Sequence, residues 1–122
     1  MLLGIAGRQR SQEHAKATGE VLSAIDPEFA GALSLMLIPG TPLHDDYEAG
    51  NFELPGSNEM LAELRTMVAH TDLSSGLFHA NHASNYLPIR AKLPEDKEKI
   101  VHQIDEALAG KVALRPEFLR AL

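Results

Sequence analysis

The sequence predicts an α/β fold of parallel strands, an incomplete barrel-type unit of repeating strand–helix pairs. Three observations carry this. Short apolar runs at residues 2–5, 32–38 and 77–78 stop at glycine, proline or polar turns. Between them lie segments whose apolar residues recur at helical spacing. The two patterns alternate, and alternation implies βαβ units with right-handed crossovers.

Leu2 to Ile5, met by Gly4 and Gly7, reads as a short buried strand. Ser11 is a good N-cap, with Glu13 in the first turn behind it. Ala15, Thr18, Leu22 and Ile25 then form one helix face, ended by Asp26-Pro27. Ala32 to Ile38 is almost continuously apolar, as strands covered on both faces are. It stops at Pro39-Gly40-Thr41-Pro42, where Thr41 can cap a short helix running to about Glu48. Ser57 opens the next helix, with Met60, Leu61, Leu64, Met67 and Val68 as its stripe. Leu77-Phe78 gives a third strand ending near His79, and Pro94 starts the last long helix. Ile100, Val101, Ile104 and Leu108 are that helix's buried face, and Gly110 ends it. Residues 111–122 form a tail with a short helix. The expected order is β-α-β-α-α-β-α within a single unit, residues 1–122.

Composition narrows the function classes. A formal net charge of −6 opposes general nucleic-acid binding and attachment to an anionic membrane surface. No apolar run reaches the roughly 20 residues of a membrane helix, and Met1 to Gly7 has no basic leader, so a cytoplasmic address is expected. The absence of cysteine removes disulfides, thiolate metal sites and cysteine nucleophiles together.

Ligands of parallel α/β folds meet the loops at the carboxyl ends of the strands. Those loops are Gly4 to Ser11, Pro39 to Leu43 and His79 to Tyr86. In the first, glycines before a helix N-terminus, with Arg8 and Arg10, suit a carboxylate or phosphate. They equally suit a tight turn with solvated arginines. Pro39-Gly40-Thr41-Pro42 reads as a rigid turn or a ligand contact. His79 and His82 have the spacing of a two-histidine metal clip, but no third ligand lies near them, so no metal is expected. Asn81, Asn85 and Tyr86 suit recognition of a polar small molecule. No serine–histidine–acid triad is legible around Ser84 and His82, and His14 and His102 read as helix-surface residues.

Leu3-Gly4-Ile5-Ala6-Gly7-Arg8-Gln9-Arg10-Ser11, the Pro39-Gly40-Thr41-Pro42-Leu43 strand end and Asn81-His82-Ala83-Ser84-Asn85-Tyr86-Leu87-Pro88 together resemble the C-terminal part of a radical S-adenosylmethionine (radical SAM) protein. The resemblance spans nearly the whole chain. The Pro-Gly-Thr-Pro strand end is similar to several radical SAM branches. The Asn-His-Ala-Ser-Asn-Tyr run is similar to a narrower branch labelled Fe–S oxidoreductase. The resemblance implies a partial (β/α) barrel, related to the TIM barrel. It also implies a 4Fe–4S cluster on three cysteines of an early loop, where S-adenosylmethionine is cleaved to a 5′-deoxyadenosyl radical. By the same resemblance Gly4, Ile5, Gly7 and Arg8 lie beside the cofactor, Pro39 and Gly40 shape its adenine side, and Asn81, His82 and Asn85 face substrate. The chain departs from the family in having no cysteine and no strand before Leu2. It is therefore expected to be a piece of a radical SAM enzyme, or a truncated relative, with no catalytic residue and no activity of its own. A small molecule is the expected ligand. The alternative is a freestanding α/β module that binds a small molecule or a partner. A cut barrel leaves a strand edge near Leu2 to Ile5, which predicts self-association.

Overall fold

The computed structural model describes all residues, Met1–Leu122. The chain is α/β. In order it forms β1 (Leu2–Leu3), α1 (Ser11–Ile25), β2 (Phe29–Gly31), β3 (Leu33–Ser34), α2 (Pro42–Glu48), α3 (Ser57–Ala69), β4 (Gly76–Ala80), β5 (Ile89–Leu93), α4 (Lys97–Leu108) and a 3₁₀ turn at Glu117–Leu119. β1 pairs in parallel with β3, and β2 pairs in parallel with β4. The two ladders share one extended segment. Ala32 N–H donates to the His79 carbonyl at 2.8 Å, and Leu33 N–H donates to that of Met1 at 3.0 Å. Across the assembly the strands therefore run β1, β2–β3, β4, β5.

Two strand expectations need correction. Residues 36–38 are not strand. Leu35 N–H still takes the Leu3 carbonyl, but Gly4 then turns β1 away with a φ of 86° and leaves those residues no neighbour. The sheet is also mixed, because β5 runs antiparallel to β4 and adds a strand to the expected order. Its sequence alternates: Ile89, Ala91 and Leu93 are buried, while Arg90 and Lys92 are exposed. That is the period of a strand with one covered face. The sheet does not close into a barrel.

Two helix starts also move. Ser11 is the first helical residue and Arg10 the cap position, because the serine hydroxyl is committed to α3. α4 begins at Lys97, since the Asp96 carboxylate accepts Lys92 N–H at 2.9 Å and ties that residue back to β5. α2 starts as expected, with Thr41 Oγ1 accepting His44 N–H and Pro42 in the first turn.

All three long helices lie on one face of the sheet: α1 packs on α3, and α3 on α4. Phe78, Leu64, Met67, Val68, Ile89, Leu93 and Ile104 form the centre of the core, each 2% exposed or less. At about 1.5–3 kcal/mol per buried large side chain, this layer is the main source of stability. The buried face of α1 is Ser11, Ala15, Gly19 and Leu22, and Ile25 is exposed. Close approach to α3 turns the helix away from its expected face. At Gly19 a methyl group would sit 2.8 Å from His70 Cβ and 2.9 Å from the Met67 carbonyl oxygen. Gly19→Ala gains about 1 kcal/mol of helix propensity but must force the two helices apart, an overpacking cost of about 1–3 kcal/mol. A lower denaturant midpoint is expected; an unchanged or raised one would mean that the crossing has slack.

Candidate functional site

The carboxyl ends of β1, β3 and β4 bring the three predicted loops to one edge of the sheet. The structure does not use their residues alike. Gly4 is buried and spent on the fold: its N–H donates to Glu63 Oε1 at 3.0 Å, and its open side is filled by Met60 and Leu35. Gly7, also left-handed, faces the Phe52 ring. Ile5, Arg8, Pro39 and Gly40 are exposed, and Gly40 has open space where a side chain would stand. Arg8 is held by Glu59 at 2.9 Å and Glu53 at 3.6 Å. Gly56 N–H and that guanidinium keep the Glu59 carboxyl below its ordinary range.

The 81–86 segment is more ordered than a turn-rich string suggests. Asn85 is 2% exposed; its amide oxygen accepts from Ser34 Oγ at 2.7 Å and its nitrogen donates to the Ala32 carbonyl at 2.9 Å. It thus braces the joined β2–β3 segment. The Asn81 amide, turned to accept, receives Arg90 Nε and Nη2 at 3.0 and 3.2 Å. His82 is half-buried, and its Nδ1 lies 3.0 Å from Ser84 Oγ and accepts Ser84 N–H at 3.2 Å. A backbone N–H can only donate. The neutral ring therefore carries its proton on Nε2, for which the structure provides no protein partner. Ser84 Oγ also accepts Ser34 N–H at 3.1 Å and is buried, so the pair locks a turn and does not present a nucleophile.

Two groupings were not found from the sequence. The tail grips the 82–86 segment: Arg115 Nη1 donates to the carbonyls of His82, Ala83 and Asn85, and Arg120 Nε to that of Ser84. Neither arginine carries a local signal, since both sit in a short irregular stretch. The other grouping is Glu63, fully buried on α3, which takes Ser11 Oγ at 2.6 Å as well as Gly4 N–H. A carboxylate in the stripe Met60–Val68 is a signal the sequence does contain. His14, expected on the surface, stands against it instead. Its Nε2 is buried without a hydrogen-bond partner, 3.7 Å from Glu63 Oε1. His102 is exposed as expected.

Scans against protein-family models, curated proteins and solved structures return no match. What the site can do therefore rests on its own geometry. The largest cleft, about 700 Å³, lies between the 47–57 segment and the tail, with Arg8, Phe52, Tyr86 and Arg115 on its walls. A smaller apolar cleft of about 270 Å³ holds His82. No three histidine, aspartate or glutamate side chains gather as metal ligands. No helix is long and apolar enough to cross a membrane.

Tyr86 closes one wall of the larger cleft. Its hydroxyl donates to Glu117 Oε2 at 2.7 Å and accepts from Arg120 Nη1 at 2.6 Å. Burial first, then the Glu117 carboxylate, push its pKa up to about 12, against the opposing charge of Arg120. A raised phenol favours the folded state below the ordinary tyrosine pKa of about 10. That contribution is lost as pH climbs from about 10 to about 12. With Tyr47→Phe leaving Tyr86 as the single tyrosine, phenolate absorbance should appear with a midpoint near 12. A midpoint near 10 in a folded chain would contradict the burial.

Proposed function

We propose that this chain is the C-terminal portion of a radical SAM enzyme's partial (β/α) barrel. Its own part is to hold the adenosine half of S-adenosylmethionine along the strand-end rim. The supporting observation is one-sided layering. α1, α3 and α4 cover one face of a sheet whose first three strands are parallel. The other face carries exposed Phe29, Leu33 and Leu77 with no helix over it. A barrel wall has this form, its inner face awaiting further strands. Ile5, Arg8, Pro39 and Gly40 lie on the rim as exposed groups. Gly4 contributes there only through packing, because Met60 occupies its open side. The residues do not fit the family's cluster: there is no cysteine and no three-ligand grouping. Cluster chemistry and cofactor cleavage therefore belong to parts of a parent enzyme beyond these residues.

Titration calorimetry with S-adenosylmethionine and with S-adenosylhomocysteine tests the retained half-site. Saturable micromolar heat for both, abolished by Ile5→Asp, is expected; no heat for either removes the half-site. The bare face and the outer edge of β1 also favour self-association of the isolated chain. Sedimentation at rising concentration should show it, and a clean monomer counts against it.

The freestanding binding module is favoured by the 700 Å³ cleft, which shares only Arg8 with the rim. Saturable ligand binding there, with no response to either adenosyl compound, would select it.

A further inference from the structure

The apolar cleft at His82 is a site of its own. Leu2, Leu33, Leu35 and Met36 line about 270 Å³ at the end of β1 and β3, with Leu122 at its rim. That volume is near the low end of small-ligand pockets, roughly 300–1,000 Å³. Leu33 is 40% exposed, so the cleft opens to solvent. Among these leucines and the methionine, His82 supplies the polar group with hydrogen-bonding capacity to spare. Its Nδ1 is occupied by the Ser84 N–H, which fixes Nε2–H as a donor. The Ser84 hydroxyl donates to His82 Nδ1 and that of Ser34 to Asn85 Oδ1, so neither serine has a donor left. An apolar wall with a single fixed donor selects a ligand with an apolar body and a hydrogen-bond acceptor at its head.

We propose that this cleft binds a short acyl group, its chain on Leu2, Leu33 and Met36 and its carbonyl or carboxylate oxygen on His82 Nε2–H. The site shares His82 and Leu33 with the radical SAM reading but none of its rim groups, since Ile5, Gly7, Arg8, Pro39 and Gly40 do not line it, so acyl binding and adenosyl binding can fail separately. A protonated amine head brings only donors and cannot use Nε2–H.

Hexanoate, hexanamide and hexylamine, titrated into the full chain and followed by the His82 ring resonances in NMR, separate these chemistries. Hexanoate and hexanamide should give saturable shifts at His82 and Leu33, and hexylamine should not. Equal response to all three would overturn the proposal, as would no saturable shift with the first two. His82→Asn keeps an acceptor for Ser84 N–H in an Asx turn while removing the distal donor. It should weaken hexanoate and hexanamide about three- to tenfold, the range of one net hydrogen bond. Leu33→Asp, at an exposed position, should abolish both without moving the denaturant midpoint. Unchanged affinity in either variant would place the ligand elsewhere and overturn the assignment.

Discussion

Replacing Glu63 with leucine is expected to cost about 3–5 kcal/mol of folding free energy. The side chain is fully buried on α3 and ties together three segments adjacent in space but distant in sequence. Oε1 takes the N–H of Gly4, where β1 turns, and Oε2 takes the hydroxyl of Ser11, where α1 begins. Leucine fills the volume but leaves both donors buried without acceptors, at about 1–3 kcal/mol each. Relief of a buried carboxylate's desolvation works the other way. It wins only when both partners are replaced together, and here one side alone is removed. Glu63→Gln should therefore cost far less, about 1 kcal/mol. Its oxygen still serves Gly4, and its NH₂ can donate to the Ser11 oxygen. Adding Ser11→Ala to Glu63→Leu should recover part of the loss, because one orphaned donor disappears. Urea midpoints at constant slope measure all three. A leucine variant as stable as the parent, or no better tolerance of glutamine, would mean that the carboxylate does not organise the Gly4–Ser11 turn.

The elements this turn connects were legible in the sequence; the turn's internal wiring was not. α3 lay in the spacing of Met60, Leu61, Leu64, Met67 and Val68, and all five are buried. α2 lay in Thr41-Pro42, a cap and first-turn pair that acts locally. Strand extent was less legible. A strand ends where its neighbours end, so the apolar run to Ile38 overshoots once β1 has turned at Gly4. β5 carried a readable alternation at Ile89–Leu93, masked by the polar string before it and the proline after it. The face of α1 was set by Gly19, whose meaning depends on α3 lying against it. For the site, position at strand ends gathered the loops, but composition could not assign roles. Asn85 resembles a recognition residue and is a buried brace, while His14 resembles a surface residue and lies against Glu63. Such outcomes depend on partners some 50 residues away, as in the Ser34–Asn85 and Ser11–Glu63 bonds. No local pattern encodes them.

Arg120→Met is expected to cost about 3–5 kcal/mol as well, concentrated in a different loop. The guanidinium is almost wholly buried, its side chain 2% exposed. Nε donates to the Ser84 carbonyl at 2.7 Å, Nη2 to that of Leu35 at 2.9 Å, and Nη1 to Tyr86 Oη and to Glu117. It also lies 4.1 Å from the centre of the Tyr86 ring. Methionine matches much of the stem but leaves the Leu35 and Ser84 carbonyls without these donors. It also leaves Glu117 facing the Tyr86 hydroxyl with no cation between them. Lysine keeps the charge as a point on a flexible stem and cannot span carbonyls on two separate segments. Arg120→Lys should therefore lose a large share of the same energy. Arg115 still holds the carbonyls of His82, Ala83 and Asn85. Removing both arginines should thus cost more than the two single changes added together, since each limits how far the segment can move when the other is lost. Hydrogen exchange separates this from general destabilisation. In the methionine variant the amides of residues 82–86 and 115–121 should lose protection before those of α3 and β4 do. Uniform loss across the chain, or an unchanged midpoint, would show that the tail rests on the strand-end loop without holding it in place.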